Sequence, residues 1–320
     1  MRIAFIGSGD VAVPALTALN DSSHEIACVI TQPDRPGGRG RKLTPTPVKR
    51  AASDLHLPVW SVPNINEPTG VERLRSQRAA VGVVIAFGQK IGPDLLAALP
   101  GGCINLHPSL LPRYRGAAPV PWAIIRGESK TGVTVFKLVE RMDAGPILTT
   151  IETPIGPTET AAELTARLAD LGPAAVLNAL ELFADGSLPQ GTPQDHAQAT
   201  TAPKFRKQDG RIAFDRPAHQ LVQLINGLWS WPGAACRYQP ADQSRNEPVT
   251  LARARTATHT PPDAAPGVIT HDLTVSALHD AVEILEIKPQ SGKLMSWSAF
   301  VNGRHVRPGD RFLPLDLPSS

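Results

Sequence analysis

A carboxamide and an imidazole two residues apart, Asn105 and His107, form the pair in this 320-residue chain best suited to chemistry. A carboxamide donates a hydrogen bond to a developing oxyanion, and an imidazole moves a proton. The pair lies in G-C-I-N-L-H-P-S-L-L-P-R-Y-R-G, residues 102 to 116, whose first half alternates apolar and polar residues. That period-2 pattern predicts a strand with Ile104 and Leu106 on one face and Asn105 and His107 on the other. Pro108 cannot continue a central strand, so the pair sits at its carboxyl end. In an open α/β sheet that edge binds ligands. A strand-end histidine that only bonds a loop carbonyl is the plainer reading of the same spacing. Asp143, in R-M-D-A-G-P just after an apolar run at 133–139, is expected at or just beyond the carboxyl edge of that strand, where it either forms a turn before Ala144-Gly145 or faces His107 from the neighbouring strand. A carboxylate there orients an imidazole and favours its charged form.

The elements around this pair read as a doubly wound, parallel-sheet α/β domain. Residues 2–7 form a buried strand, followed by a glycine turn and a helix. Further strands are expected at 26–31, 58–62 and 81–87, with helices at 48–55, 69–77, 93–99 and 120–125. Strands alternating with helices imply crossover units and a Rossmann-like sheet. Gly7, Gly9 and Ala12 match the dinucleotide fingerprint G-x-G-x-x-G/A, but the second strand runs into Gln32-Pro33 without its acidic residue. Thr160 and Glu163 form a capping box for a helix that Gly172-Pro173 should break or kink. Residues 187–206, rich in Pro, Gln and Thr without apolar period, read as a linker. Beyond them a helix at 218–228 and short apolar runs at 211–214, 249–253, 267–269, 273–277, 282–287 and around Phe300 predict a small antiparallel β-barrel, OB-like in its spacing.

Two basic clusters stand out. In residues 31–50, Arg35, Arg39, Arg41, Lys42, Lys49 and Arg50 face one acid, Asp34, within a glycine-rich loop. Lys204, Arg206, Lys207 and Arg211 form the second. With a net charge of only +3, any affinity for nucleic acid must come from such clusters. The plainer reading of the first cluster is a solvated charged loop; for a loop this long and glycine-rich a phosphate-bearing partner is the physical expectation. Trp229 and Trp231 read as core residues, with a stacking surface as the alternative. The three cysteines show no metal-ligand spacing and no disulfide framework, which points to the cytoplasm. No signal peptide is read at the start of the chain, and no apolar run is long enough for a membrane span.

Taken together, these segments resemble the methionyl-tRNA formyltransferases over nearly the whole chain. Gln32–Leu43 is similar to the family's basic insertion, and Asn105–Pro119 to its catalytic core. Asp143–Gly145 falls where the family keeps its aspartate. Ala202–Phe214 and Asn302–Phe312 resemble the bounds of its C-terminal barrel. One departure is the first turn, Gly7-Ser8-Gly9-Asp10-Val11-Ala12, where the family usually shows G-T-P-x-F-A.

The resemblance implies a one-carbon transferase that moves the formyl group of 10-formyltetrahydrofolate to the α-amine of methionine on initiator methionyl-tRNA, for translation initiation. It implies Asn105, His107 and Asp143 as catalytic residues, with Asp143 positioning His107 and accepting the amine proton. Ser109, Leu110, Leu111 and Pro112 would line the folate site with Phe87 and Ile91. Arg39, Arg41, Lys42, Lys204 and Lys207 would hold the tRNA. No metal or nicotinamide is implied, and a monomer is expected. The implied domains are residues 1–186 for catalysis, 187–206 as linker and 207–320 for tRNA binding. The same chemistry on a small amine, such as an amino sugar or glycinamide ribotide, is the alternative; the basic loop and second domain argue against it. A nicotinamide-dependent dehydrogenase, or a protein that binds RNA without catalysis, is a further alternative.

Overall fold

The run Ile3-Ala4-Phe5-Ile6 is wholly buried, as a strand covered on both faces must be. It forms β1 (Arg2–Gly7), an interior strand of the first sheet in a computed structural model that describes residues 1–37, 42–184, 188–258 and 264–315. By internal contacts the chain falls into two units. The first is Met1–Gly116, Thr131–Thr153 and Thr165–Ala202; the second is Ala117–Lys130, Pro154–Leu164 and Pro203–Ser320. Residues up to Ala202, read from composition as connecting chain, are therefore grouped with the first unit. No helix among the described residues is long and apolar enough to cross a membrane.

In the first unit, α1 (Val13–Asn20) returns the chain to β2 (Glu25–Thr31). A two-stranded hairpin follows, β3 (Arg35–Gly37) with β4 (Lys42–Thr44). Then come α2 (Pro47–Asp54), β5 (Val59–Ser61), α3 (Pro68–Ser76), β6 (Val81–Ile85), the short α4 (Pro93–Leu96) and β7 (Cys103–His107). The sheet order is β5-β2-β1-β6-β7-β8-β9, where β8 is Lys130–Lys137 and β9 is Ile147–Pro154. Pairs up to β7 are parallel. Successive strands leave β1 on one side and resume on the other at β6, so the crevice lies at the carboxyl ends of β1 and β6. There a Cβ on Gly7 would stand 2.8 Å from the Ile85 carbonyl oxygen, which only glycine avoids. The unusual first turn has its own tie: Ser8 Oγ accepts the Gln32 N–H at 3.1 Å and lies 3.2 Å from Thr31 Oγ1.

Two expectations change here. The strand expected at 133–139 is β8, and it pairs antiparallel to β7, with His107 opposite Thr134. Its carboxyl end therefore points away from the edge that carries His107. Asp143 reaches His107 because the chain from Leu138 to Pro146 folds back, not because neighbouring strands end together. The second change concerns Gly172-Pro173: α6 (Ala161–Glu181) runs through Pro173 as one helix. Its Gly172 has a packing role instead. A Cβ there would lie 2.7 Å from Leu106 Cδ2, so glycine lets the helix approach β7. The capping box at the start of α6 forms, with Glu163 N–H donating to Thr160 Oγ1 and Thr160 N–H to Glu163 Oε2.

The second unit contains α5 (Pro119–Ile125), α7 (Ala218–Leu228) and an antiparallel sheet. Its strands are β10 (Ala234–Gln239), β11 (Glu247–Thr256), β12 (Val275–Ser276), β13 (Ala281–Pro289), β14 (Met295–Ser296) and β15 (Arg311–Leu313), in the order β12-β13-β11-β10-β15 with β14 on β13. Residues 267–269 bring the ends together. Ser276 N–H donates to Val268 O on one side, and Ile269 N–H to Asp310 O and Phe312 N–H to Gly267 O on the other. The sheet is thus a nearly closed barrel. Tyr238, Phe300 and Phe312 fill it, and Tyr238 donates to the buried Asp310 at 2.6 Å. Phe300 lies on a helix, α8 (Trp297–Arg304), rather than on a strand. Residues 211–214 contribute a single bridge, Arg211 to Ala235, to β10, which the sequence pattern had not marked.

Candidate active site

Alternation along β7 buries Ile104 and Leu106 and puts Asn105 and His107 on the other face. The Asn105 carboxamide is half-buried and makes no hydrogen bond among the described residues. His107 is held on one side and faces Asp143 on the other. Its Nε2 lies 2.9 Å from the Tyr114 carbonyl oxygen, which can only accept, so Nε2 carries a proton. Nδ1 faces Asp143 Oδ2 at 3.8 Å, with the two side chains 6% and 14% exposed, so the pair is nearly dry yet not directly hydrogen-bonded. Burial pushes the imidazole below its ordinary value of 6.5, against a smaller upward pull from Asp143 and from the Tyr114 carbonyl. The ring is therefore neutral at pH 7, with its Nδ1 lone pair toward the carboxylate. A water or amine standing off the line between the two can donate to both.

Asp143 is the third member of the group that the sequence singled out. Its Oδ2 accepts the Gly116 N–H at 2.7 Å, and its φ is +50°. Tyr114 and Ala86 also have left-handed backbone, at φ +62° and +46°. Non-glycine residues in this region carry strain, and such strain gathers where function over-determines the backbone.

The folate-site candidates divide by their placement. Ser109 is wholly buried and its hydroxyl donates to Arg113 O at 2.7 Å, so it shapes the loop. Thr134 Oγ1 donates to Ser109 O at 2.7 Å and accepts Leu111 N–H at 3.3 Å, fixing the same loop to β8. Leu111 is buried, while Leu110 and Pro112 are half-exposed. Phe87 and Ile91 pack into the core with Ala4, Ile6 and Leu95. Their segment offers backbone rather than side chains: Gln32 Nε2 donates to Phe87 O at 2.5 Å, and Gly9 N–H to Ala86 O at 3.3 Å.

Of the basic candidates, Arg39 and Arg41 lie outside the described residues. Lys42 is exposed on β4, and Lys204 and Lys207 are exposed in the second unit. None of these three pairs with a carboxylate among the described residues. Lys49, by contrast, is bound to Asp34 at 2.8 Å. Phe205, between the two lysines, stacks on Trp122 with ring centroids 4.8 Å apart. Trp231 is 60% exposed, so it is no core residue. Sequence reasoning missed Thr200 and Gln194, which bind the backbone of the loops carrying Tyr114 and Asp143, and Arg115, whose guanidinium donates to the Gln194 carboxamide. Nothing in the composition around Gln194 distinguishes it from connecting chain.

Residues 1–180 match the sequence model of the formyl transferase family, and residues 204–305 match that of the formyl transferase C-terminal domain. The methionyl-tRNA formyltransferase of Solibacter usitatus is 39% identical over 315 residues, covering 97% of this chain and 98% of its own. That of Chloroflexus aurantiacus is 40% identical over 312 residues, covering 96% and 98%. Among solved structures, HypX from Aquifex aeolicus in complex with tetrahydrofolic acid superposes with a TM-score of 0.63 at 18% identity. It matches 94% of this chain, which spans about half (47%) of HypX. WlaRD, a sugar 3N-formyl transferase, superposes with a TM-score of 0.64 at 15% identity, over 92% of this chain and 99% of its own. At these identities the two structures attest the fold alone. The near-full-length relatives, and the formyl transferase match over the part of the chain that holds Asn105, His107 and Asp143, show that the chain belongs to the methionyl-tRNA formyltransferase family.

Proposed function

We propose that the chain transfers a formyl group from 10-formyltetrahydrofolate to the α-amine of methionine on initiator methionyl-tRNA. The observation that carries the site assignment is the Asn105 carboxamide, unpaired among the described residues, beside the buried His107 and the half-buried Asp143. A half-buried amide with no protein partner is a donor left for a ligand. The residues present fit a folate. Leu110 and Pro112 offer a half-exposed apolar wall beside the crevice.

The folate supplies a formyl carbon on nitrogen; the amine–carbon bond forms, the folate nitrogen–carbon bond breaks, and the proton lost by the amine ends on the departing nitrogen. Asn105 donates to the oxyanion that develops at the formyl oxygen, an interaction worth about 3 kcal/mol in comparable sites. The nucleophile must be a neutral amine. Asp143 Oδ2 accepts its proton, and His107, fixed by the Tyr114 carbonyl, relays it from Nδ1. Lys42, Lys204 and Lys207, with Arg39 and Arg41, bind the tRNA phosphates. In this division residues 1–186 carry the transfer, 187–206 connect, and 207–320 grip the tRNA.

The test is transfer of labelled formyl from 10-formyltetrahydrofolate to initiator methionyl-tRNA, with elongator methionyl-tRNA and an amino sugar as competing acceptors. Label on the initiator alone is expected. Label on the amino sugar, with none on tRNA, would contradict the proposal.

A further inference from the structure

Gln194 lies in the Pro-, Gln- and Thr-rich stretch after α6, yet it is buried and every hydrogen-bonding position of its carboxamide is used. Nε2 donates to the carbonyl oxygens of Asp143 at 3.0 Å and Gly145 at 2.7 Å. Oε1 accepts from Arg115 Nε at 3.2 Å and Nη2 at 2.6 Å. The reverse orientation would set an oxygen against two carbonyls and an NH2 group against a guanidinium, so the partners fix the assignment. Arg115 is itself buried, and its Nη2 also donates to His196 Nδ1 at 3.0 Å.

The same stretch grips the loop on the other side of the site. Thr200 Oγ1 accepts Tyr114 N–H at 2.9 Å, and Thr200 O accepts Arg115 N–H at 2.8 Å. Ala202 N–H donates to Arg115 O at 2.7 Å. Tyr114 is the residue whose carbonyl holds His107, and Gly116, two residues on, donates to the Asp143 carboxylate. One segment, 194–202, thus ties together the backbone that carries Asp143 and the backbone that orients His107.

We infer that Gln194 is a positioning residue for formyl transfer: it holds the Asp143 backbone against Arg115 and so sets the separation of the Asp143 carboxylate from His107. This rests on the reading above, in which Asp143 and His107 handle the amine proton. The Gln194 amide holds the Asp143 and Gly145 carbonyls, whereas β7 is held by β6 and β8, so loss of the carboxamide frees the Asp143 loop while β7 and its His107 stay in place. Misplacement of a reacting group by about an ångström costs about 100-fold in rate.

Gln194→Met keeps the length of the side chain and removes all four bonds. It is expected to lower kcat by about 100-fold, leave KM for both substrates within about twofold of wild type, and move the acid limb of the pH–rate profile. In an Asp143→Asn background the same change should cost less than about threefold, because residues acting through one group are not additive. Thr200→Val should lower kcat in the same way and Thr200→Ser should restore it, which keeps the test open should Gln194→Met not fold. A Gln194→Met protein that is less heat-stable but turns over with wild-type kcat and pH profile would overturn the inference. So would an undiminished loss in the Asp143→Asn background, or, without a folded Gln194→Met protein, wild-type kcat in Thr200→Val. A wild-type chain inactive on methionyl-tRNA would overturn the functional reading and this inference with it, whereas an active wild type with a silent Gln194 overturns the inference alone.

Discussion

His107 Nδ1 stands 3.8 Å from Asp143 Oδ2, and each is fixed by a backbone group rather than by the other: the Tyr114 carbonyl holds the ring and the Gly116 N–H holds the carboxylate. The gap between them is open to a proton-bearing ligand atom. A neutral ring and an ionised carboxylate can then share the protons of an incoming amine.

The protonation of His107 gives the first prediction. Its folded value lies below 6.5, chiefly through burial, so the unfolded chain binds the proton more readily than the folded one. The sign follows: stability associated with the neutral ring is complete above pH 6.5 and is lost as pH falls from 6.5 through the folded value. Turnover should share that acid limb, with its midpoint below 6.5. Asp143→Asn removes an upward pull on the ring, so it should move the limb to still lower pH as well as lower the rate. Initial rates between pH 5 and 8 for both proteins check this; a limb that moves upward in the variant would contradict it.

Glycine substitutions separate two kinds of close packing beside the site. A Cβ on Gly172 meets the end of the Leu106 side chain, which can swing aside, whereas a Cβ on Gly132 overlaps the Ile151 carbonyl oxygen on the paired strand. Gly132→Ala should therefore destabilise by about 1–3 kcal/mol or more, and Gly172→Ala by less. Urea unfolding of the two variants decides it, and the opposite order would contradict the packing described here.

For the tRNA contacts, Lys42→Ala should shallow the slope of log K against log salt by about one, because one phosphate contact is lost. Lys49→Ala should change the slope less, since its ammonium is already bound to Asp34. Binding isotherms for initiator tRNA across a salt series would show it, and equal slopes for wild type and Lys42→Ala would remove Lys42 from the interface.

The parts of the site that depend on local pattern were legible in the sequence. Alternation placed Asn105 and His107 on one face, and Pro108 marked the strand end. Thr160 and Glu163 were readable as a capping box because both partners lie within one turn. The approach of Asp143 to His107 was legible, but its route was not, because strand direction is not encoded in a short apolar run and β8 is antiparallel to β7. β10 was hidden by the preceding W-S-W-P-G, whose turn residues outweigh the alternation that follows. Barrel closure rests on bridges at residues 267–269, too short to show a period. Gln194 and Thr200 act across 51 and 86 positions of chain, in a stretch whose composition fits a linker, so no local signal separates them.

The most direct test of the central claim, that Asn105 acts on the reacting formyl group rather than on binding, is single-turnover transfer by Asn105→Ala with both substrates saturating. The account predicts a rate lower by about 100- to 1,000-fold, with folate affinity within a few-fold of wild type. A variant that transfers formyl at the wild-type rate would contradict it.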